Sequence, residues 1–588
     1  MSTTTFSAIL PASLPAIGII TARAAGLLLL YYATYAVYNL YLAPLAKFPG
    51  PRLSAISRLP FLRAHFRGKL HDYFVDLHAQ YGPIVRVAPD ELTTISPSAW
   101  KEIYQKRPAL PKDPLALTPP PNGAESLFTA EGHVHSRIRR TFADAFSEKA
   151  VREQSCCMES FADLLISRLS RDVIEAGHGD LDIAKYYGYT TLDIMGELCL
   201  GESFQSLEGS NEHNWIKAFF IGGVFGSLRS SLSRYYPLDQ IIAWFFMQMT
   251  SKTRQRNFRF GVDMITRRLD KGDLGSGRSD IISPVIGNII EAKDEATKSK
   301  GVTRDELNVN LLSMMLAGSQ LATTALAAST YYLLRHPETM KKLKQEIYAS
   351  FASESDITVA STQGKPYMEA VISETLRMHH PTPSDPKSRV VAAGGQEIAG
   401  HWVPGGATIS IPALAASNSP SNWVEPEIFQ PERWLPATHP LYDSRFEKDE
   451  KEVFRPFSTG SRNCMGSRTF LAESRLILAR IVWKFELSLV DEEDKDWPDN
   501  RAFLAYQPKP LMVRPAPAIG ELHNLSKTIC SSMRPIKPLA PVRLFEDSNL
   551  EDGEGREEEM MRGSAELRID DLAGPRLALG PERQDRVR

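Results

Sequence analysis

The chain has 588 residues, with 68 basic against 70 acidic side chains and 43% hydrophobic residues. That composition excludes collagenous, wholly disordered and multi-span membrane classes, and a net charge of −2 lacks the basic surplus of a nucleic-acid binder. The five cysteines, Cys156, Cys157, Cys199, Cys464 and Cys530, are too few and too scattered for a disulfide scaffold and suit a reducing compartment.

In chain order, the first predicted element is a membrane anchor. Arg23 is the only charged side chain before Lys47, and residues 24–46 form an uncharged run, AAGLLLLYYATYAVYNLYLAPLA. As a helix this run can cross a hydrocarbon core of ~30 Å, which takes about 20 residues. Tyr31, Tyr32, Tyr35, Tyr38 and Tyr41 give it interfacial character. A cleaved signal peptide fits less well, because the charged n-region and the small-residue cleavage site are missing. Lys47, Arg52, Arg58, Arg63, Arg67 and Lys69 follow at once, so by the positive-inside rule the rest of the chain stays cytoplasmic. Phe48-Pro49-Gly50-Pro51 cannot continue a helix and predicts a stiff turn into a globular body.

The predicted organisation is an anchor over residues 1–47 (span about 24–46), a body over 48–515 and an extension over 516–588. The extension carries eight acidic residues and one basic residue between positions 546 and 559. Too little apolar surface is available there to offset chain entropy, which predicts disorder.

The body shows no internal repeat or dividing linker and reads as mostly α with minor β. Thr303-Arg304-Asp305-Glu306 has the form of a capping box. It opens a helix predicted to run to Arg335, where His336-Pro337 stops it. The centre of that helix is apolar or small on nearly every face, which places it in the core. Gly318 in its middle costs about 1 kcal/mol relative to Ala unless the space is needed. Arg389-Val390-Val391 and Thr408-Ile409-Ser410-Ile411 read as short strands between Gly and Pro turns.

The segment at residues 457–466, Phe-Ser-Thr-Gly-Ser-Arg-Asn-Cys-Met-Gly, sets one cysteine in a glycine-bracketed loop before an amphipathic helix. A helix N-terminus favours thiolate at Cys464. Gly460 and Gly466 permit close approach of backbone and cofactor, and Arg462 can reach an anion beside the sulfur. No other Cys or His adjoins it, so a clustered zinc site is unsupported. One thiolate with aromatic, small and basic companions suits a haem iron.

This segment resembles the haem-binding signature of the cytochrome P-450 superfamily, Phe-x-x-Gly-x-Arg-x-Cys-x-Gly, at every fixed position. The resemblance implies the cytochrome P-450 fold and a haem b whose axial ligand is Cys464, with Phe457 and Gly466 beside the cofactor. A thiolate ligand favours O–O cleavage and so marks oxygenases. Glu374-Thr375-Leu376-Arg377 is similar to the family's Glu-x-x-Arg pair, whose spacing lets carboxylate and guanidinium meet on one helix face. Pro431-Glu432-Arg433-Trp434 is similar to its Pro-Glu-Arg-Phe/Trp element. By resemblance, Glu374, Arg377 and Arg433 form a buried network that braces the cysteine loop. His135-Ser136-Arg137-Ile138-Arg139 resembles the Trp-x-x-x-Arg element with His135 in place of Trp. His135 and Arg139 would then hold one haem propionate, with Arg389 and Arg462 on the other.

The departure lies in the long helix. Ala317-Gly318 matches the family's oxygen-site motif, in which the glycine makes room for oxygen, but Gln320 stands for the usual acid and Leu321 for the usual threonine. Gln carries no titratable proton and Leu no hydroxyl. Thr323 and Thr324 lie two and three residues on, and a local distortion of the helix would let one compensate; Thr324, ordered water or a substrate hydroxyl is expected to take over the relay.

The resemblance implies a membrane-anchored monooxygenase that inserts one atom of O2 into a lipophilic small molecule. It looks most like fungal enzymes acting on terpenoid or polyketide intermediates of secondary metabolism. Residues 111–128 and 219–246 are expected to shape the pocket. With no Gly-x-Gly-x-x-Gly fingerprint or flavin-type domain, electrons would come from a separate NADPH-cytochrome P-450 reductase on the same face of the endoplasmic reticulum membrane. Two other classes stay open: a haem-thiolate isomerase, dehydratase or peroxide user, favoured by Gln320-Leu321, and a non-catalytic binder, disfavoured by the intact cysteine loop.

Overall fold

The computed structural model describes residues 13–116, 120, 122–175, 179–209, 214–235, 238–272, 279–290, 301–384 and 387–517. The expected disordered extension therefore lies almost wholly outside the described residues. The chain stays ordered slightly beyond 515, because the last strand runs through Pro517.

The N-terminal apolar segment forms helix α1 (Ser13–Val37), continued by a π-turn over Tyr38–Leu42. Residues Ile19–Leu42 are long and apolar enough to cross a membrane, and Asn39 is the only buried residue among them, making the stretch a candidate membrane anchor. It starts before Arg23 and ends earlier than expected, at Leu42. A single arginine with a long apolar stem can reach a polar boundary without ending the helix, whereas Ala43 is extended ahead of Pro44.

Further helices that bear on the site are α2 (Gly132–Ala143), α3 (Ile183–Leu200), α4 (Asn214–Leu232), α5 (Leu238–Asp270), α6 (Arg304–Arg335), α7 (Pro366–Met378) and α8 (Ser467–Lys484). The expected capping box starts α6: Thr303 Oγ1 accepts from Glu306 N at 3.2 Å, and Glu306 Oε2 accepts from Thr303 N at 2.9 Å. Helix α3 packs along α6, with Tyr187 OH 2.8 Å from Thr330 Oγ1 and Thr191 Oγ1 2.8 Å from Thr323 Oγ1. Both helices, together with α7 and α8, contribute to one apolar core.

The strands β1 (Ile84–Ala88), β2 (Glu91–Thr94), β4 (Arg389–Val390) and β5 (Thr408–Ser410) form a sheet in the order β1-β2-β5-β4, over a second apolar cluster. The two strand runs expected from the sequence are thus neighbours, antiparallel with Arg389 opposite Ile409. A second sheet joins β6 (Phe485–Leu489), β7 (Met512–Pro517) and β3 (Leu181–Asp182). Because β6 follows α8 directly, this sheet ties the helix after the cysteine loop to the start of α3.

Candidate active site

The cysteine loop is built by two local constraints. Cys464 N donates to Phe457 O at 2.8 Å, folding the loop back on itself. Gly460 has φ +77°, and a Cβ there would collide with the carbonyl oxygen of Tyr104, so only glycine fits. A Cβ on Gly466 would meet only Phe146, at 3.9 Å. Phe457 packs edge-on against Phe470 of α8 with ring centroids 5.4 Å apart.

Cys464 is exposed, yet burial is the main influence on its thiol, pushing the pKa up. The Gly466 N–H and the charges of Lys387 and Arg139 pull it down less strongly. Exposure and desolvation hold together where the sulfur faces a recess walled by protein rather than open water. The expected thiolate preference of the helix N-terminus is therefore outweighed by desolvation in the bare chain. A metal cation at the sulfur would reverse that balance.

Helix α6 has an accessible stretch of its own. Residues 306–312 and 324–333 are buried, but Ser313, Met314, Leu316, Ala317, Gly318, Gln320, Leu321 and Thr323 between them are half-accessible. Positions 313, 317, 320 and 321 follow the helical repeat, so they form one stripe facing open space. Ala317, Gln320 and Leu321, expected at the oxygen site, lie on this stripe. Gly318 points elsewhere: a Cβ on it would fall 2.5 Å from Met195 Cε of α3, so the room left by this glycine is taken by helix packing. The expected local distortion is absent, since α6 is α-helical throughout. Thr323 bonds to Ser319 O at 2.9 Å and to Thr191 on α3, away from the stripe. Thr324 lies one turn beyond Gln320, buried, and donates to Gln320 O at 3.0 Å. Gln320 Nε2 in turn donates to Tyr506 O at 3.3 Å.

Around the cysteine the chain gathers positive charge. His135 is buried on α2, and burial followed by the charges of Arg462, Lys112, Arg139 and Arg389 pushes its imidazole down to about 4. The four residues expected at the propionates, His135, Arg139, Arg389 and Arg462, are thus brought together, and Lys112 joins them unforeseen. Arg139 donates to Asn463 O at 2.8 Å and to its Oδ1 at 2.5 Å, fixing the residue before the cysteine. Arg389 donates to the carbonyls of Lys387 and Ser388 at 2.9 and 3.1 Å. Arg462 meets Glu131 at 2.6 Å and Ala130 O at 2.9 Å. Arg139 and Arg389 therefore spend their donors on neutral oxygens, which leaves an excess of cationic charge. A ligand carrying two carboxylates and a metal fits this donor set of cations grouped near a thiol.

A separate, neutral network lies behind the loop. Arg377 binds Glu374 through Nε at 2.9 Å and Nη2 at 2.8 Å, and Arg433 Nε reaches Glu374 Oε1 at 3.0 Å. The structure adds Asp449, 2.5 Å from Arg433 Nη1, and Trp434 Nε1, 2.9 Å from Glu374 Oε2. All four charged side chains are fully buried. Carbonyls of Ser417, Pro426 and Ile428 take the remaining Arg377 donors, and those of Val424 and Glu425 serve Arg433.

In the expected pocket segments several aromatic rings do not line a pocket. Trp244 and Phe245 on α5 are 61% exposed and Phe128 is 53% exposed, so these rings face outward rather than into the recess. Within 219–246, the side chains of residues 219–221, 236–238, 243, 246 lie outside the described set.

Comparison with known proteins reads the same way. The family model described as Cytochrome P-450 matches residues 48–515. An averantin hydroxylase of Dothistroma septosporum is 39% identical over 499 residues, 84% of this chain and 90% of the relative. Cytochrome P-450 monooxygenase lcsI of Purpureocillium lilacinum is 36% identical over 83% of this chain and 92% of the relative. Cytochrome P-450 monooxygenase stcF of Emericella nidulans is 36% identical over 83% and 98%.

Proposed function

The chain belongs to the cytochrome P-450 family and is an enzyme that acts as a monooxygenase; from that premise we propose that Cys464 is the axial thiolate of a haem b seated in the recess below α6. In this reading His135 and Arg139 hold one haem carboxylate, and Arg389 and Arg462 hold the other. The observation that carries it is the cation cluster around a buried, neutral His135 beside Cys464, in which Arg139 and Arg389 bind only neutral oxygens.

The haem supplies activation of O2 when bound; the chain's residues do the rest. The Phe457 carbonyl and the Arg139–Asn463 contact fix the loop that carries the sulfur. The neutral Glu374–Arg377–Arg433–Asp449 network holds the segments behind it rigid without placing net charge near the sulfur. On the opposite wall, Leu321 keeps the recess apolar where the family has a hydroxyl, which disfavours stray water. Gln320 is pinned to the 502–506 turn and orients that wall. Thr324 Oγ1 holds its proton on Gln320 O, and its free lone pairs can accept from water in the recess, making it the hydroxyl available for proton delivery.

The substrate in this reading is a lipophilic small molecule, a terpenoid or polyketide intermediate of fungal secondary metabolism. Support comes from the half-accessible Met314, Leu316, Ala317 and Leu321 of α6 and from relatives whose names specify hydroxylation or monooxygenation. Those names also favour oxygen insertion over the isomerase class raised by Gln320-Leu321. A separate NADPH-dependent reductase supplies electrons, and α1 holds the enzyme on the endoplasmic reticulum membrane with the catalytic body cytoplasmic. The test is turnover in membranes with such a reductase under isotopically labelled O2. One labelled oxygen atom per product, with matching NADPH use, is expected. Product formed without O2 consumption would overturn it.

A further inference from the structure

Where the anchor meets the body there is a cavity of about 200 Å³, lined among others by Leu40, Tyr41, Phe48, Arg52, Ala55 and Arg86. Arg86 is the unusual member. It is only 2% exposed, on β1, yet its guanidinium meets no carboxylate: Nη1 donates to Asn39 O at 2.7 Å, and Nη2 to Asn39 Oδ1 at 3.0 Å and Pro89 O at 2.7 Å. Its Nε finds no acceptor. A buried cation satisfied only by neutral oxygens is costly and calls for a counter-charge. The nearby Asp90 is engaged by Arg58 at 2.5 Å.

Two more cations stand at the same junction. Among the described residues neither Lys47 nor Arg52 forms an ion pair, and Lys47 Nζ lies 5.2 Å from the Phe48 ring centroid. The cavity straddles the end of the candidate membrane span at Leu42, with Leu40 and Tyr41 on one side and Phe48 and Arg52 on the other. Arg86 also holds both sides of the turn: its N–H donates to Pro49 O at 2.8 Å, and Gly50 packs so closely on its carbonyl that a Cβ would clash. The cavity is therefore a fixed feature between anchor and sheet.

We propose that this cavity is a phospholipid site, in which Lys47, Arg52 and Arg86 bind the phosphate diester of a glycerophospholipid headgroup while Leu40, Tyr41 and Phe48 contact the start of its acyl chains. Cationic donors with apolar neighbours at the depth of the headgroups match the amphiphile that is abundant there. A free phosphate shares the anionic chemistry but has no use for the apolar wall. The inference rests on α1 being a membrane anchor, and soluble short-chain lipid tests the site separately from insertion.

The experiment uses the full-length, haem-loaded protein in neutral detergent and follows amide hydrogen exchange over residues 38–55 and 84–88. Dioctanoyl phosphatidylglycerol is expected to slow exchange saturably, while dioctanoylglycerol and inorganic phosphate do not. A Lys47→Glu/Arg52→Glu variant is expected to need about tenfold more lipid for the same protection. These two side chains are remote from the haem loop, so the haem spectrum serves as the folding control. Arg86→Gln provides a second variant that removes the buried charge. Equal protection by dioctanoylglycerol or by inorganic phosphate, or unchanged lipid dependence in the charge-reversed variant, would overturn the proposal. Failure of the protein to resist alkaline extraction from membranes would instead count against the anchor reading alone.

Discussion

Two clusters of arginine lie on either side of the cysteine loop, and they are built on opposite plans. Behind the loop, Arg377 and Arg433 face Glu374 and Asp449, charge for charge, with every donor placed. In front of it, Arg139, Arg389, Arg462 and Lys112 crowd one neutral histidine, and two of the arginines bind only carbonyl or amide oxygens. Buried charge that serves the fold is neutralised within the chain. Of the arginines in front, only Arg462 has an acidic partner among the described residues, Glu131, and in the proposed reading a ligand's carboxylates supply the rest of the opposite charge. The two clusters should therefore respond to mutation in opposite ways.

The largest effect belongs to the neutral network. Glu374→Gln leaves Arg377 and Arg433 buried against a single acid, at a cost of about 3–5 kcal/mol. Denaturant titration and haem yield are expected to show a destabilised chain with little holoenzyme, and an unchanged midpoint would break the contrast. Arg462→Ala in the cationic cluster should do the reverse. The bare fold changes by about 1 kcal/mol or less, since the side chain is partly solvent-screened, while haem dissociation accelerates about tenfold as a charge-assisted contact is lost. Haem transfer to apomyoglobin measures the second quantity, and equal loss from both variants would contradict the division.

Acidification sharpens the same point. The His135 imidazole is held down to about 4 in the folded chain, below its ordinary 6.5. The stability it allows is present above pH 6.5 and is lost as pH falls through about 4, where the unfolded chain binds the proton more readily. In apoprotein, His135→Gln should flatten that part of the stability profile relative to the parent. Haem carboxylates supply opposite charge, so the difference should shrink in holoenzyme. The smallest effect falls on α6: Thr324→Val is expected to raise the O2 consumed per product, while Thr323→Val, tied to α3, leaves coupling unchanged. A Thr323→Val/Thr324→Val enzyme with full coupling would remove threonine from proton delivery.

Much of the site is readable in sequence because it sits in continuous stretches. The loop around Cys464, the Glu374–Arg377 spacing and the Thr303–Glu306 capping box each need only local geometry to form. Asp449 was not readable: it lies in a charged run, Glu447-Lys448-Asp449-Glu450-Lys451, and only a turn that brings it under Arg433 distinguishes it from its neighbours. Lys112 and Asn463 escape for the same reason, since their partners are distant in sequence. Gly318 misleads in the other direction, because a small residue in a core helix serves a close helix contact as readily as a cavity, and Met195 decides which. The outward turn of Trp244 and Phe245 depends on how α5 lies over the body, which apolar composition does not specify.

The central claim is that Cys464 ligates a haem iron through sulfur. Reduced, CO-bound absorption of undamaged full-length protein tests it most directly. The strongly red-shifted Soret band of thiolate-ligated haem is predicted, lost on Cys464→Ala. The band of histidine-ligated haem in the parent protein, or a thiolate band that survives Cys464→Ala, would contradict the account.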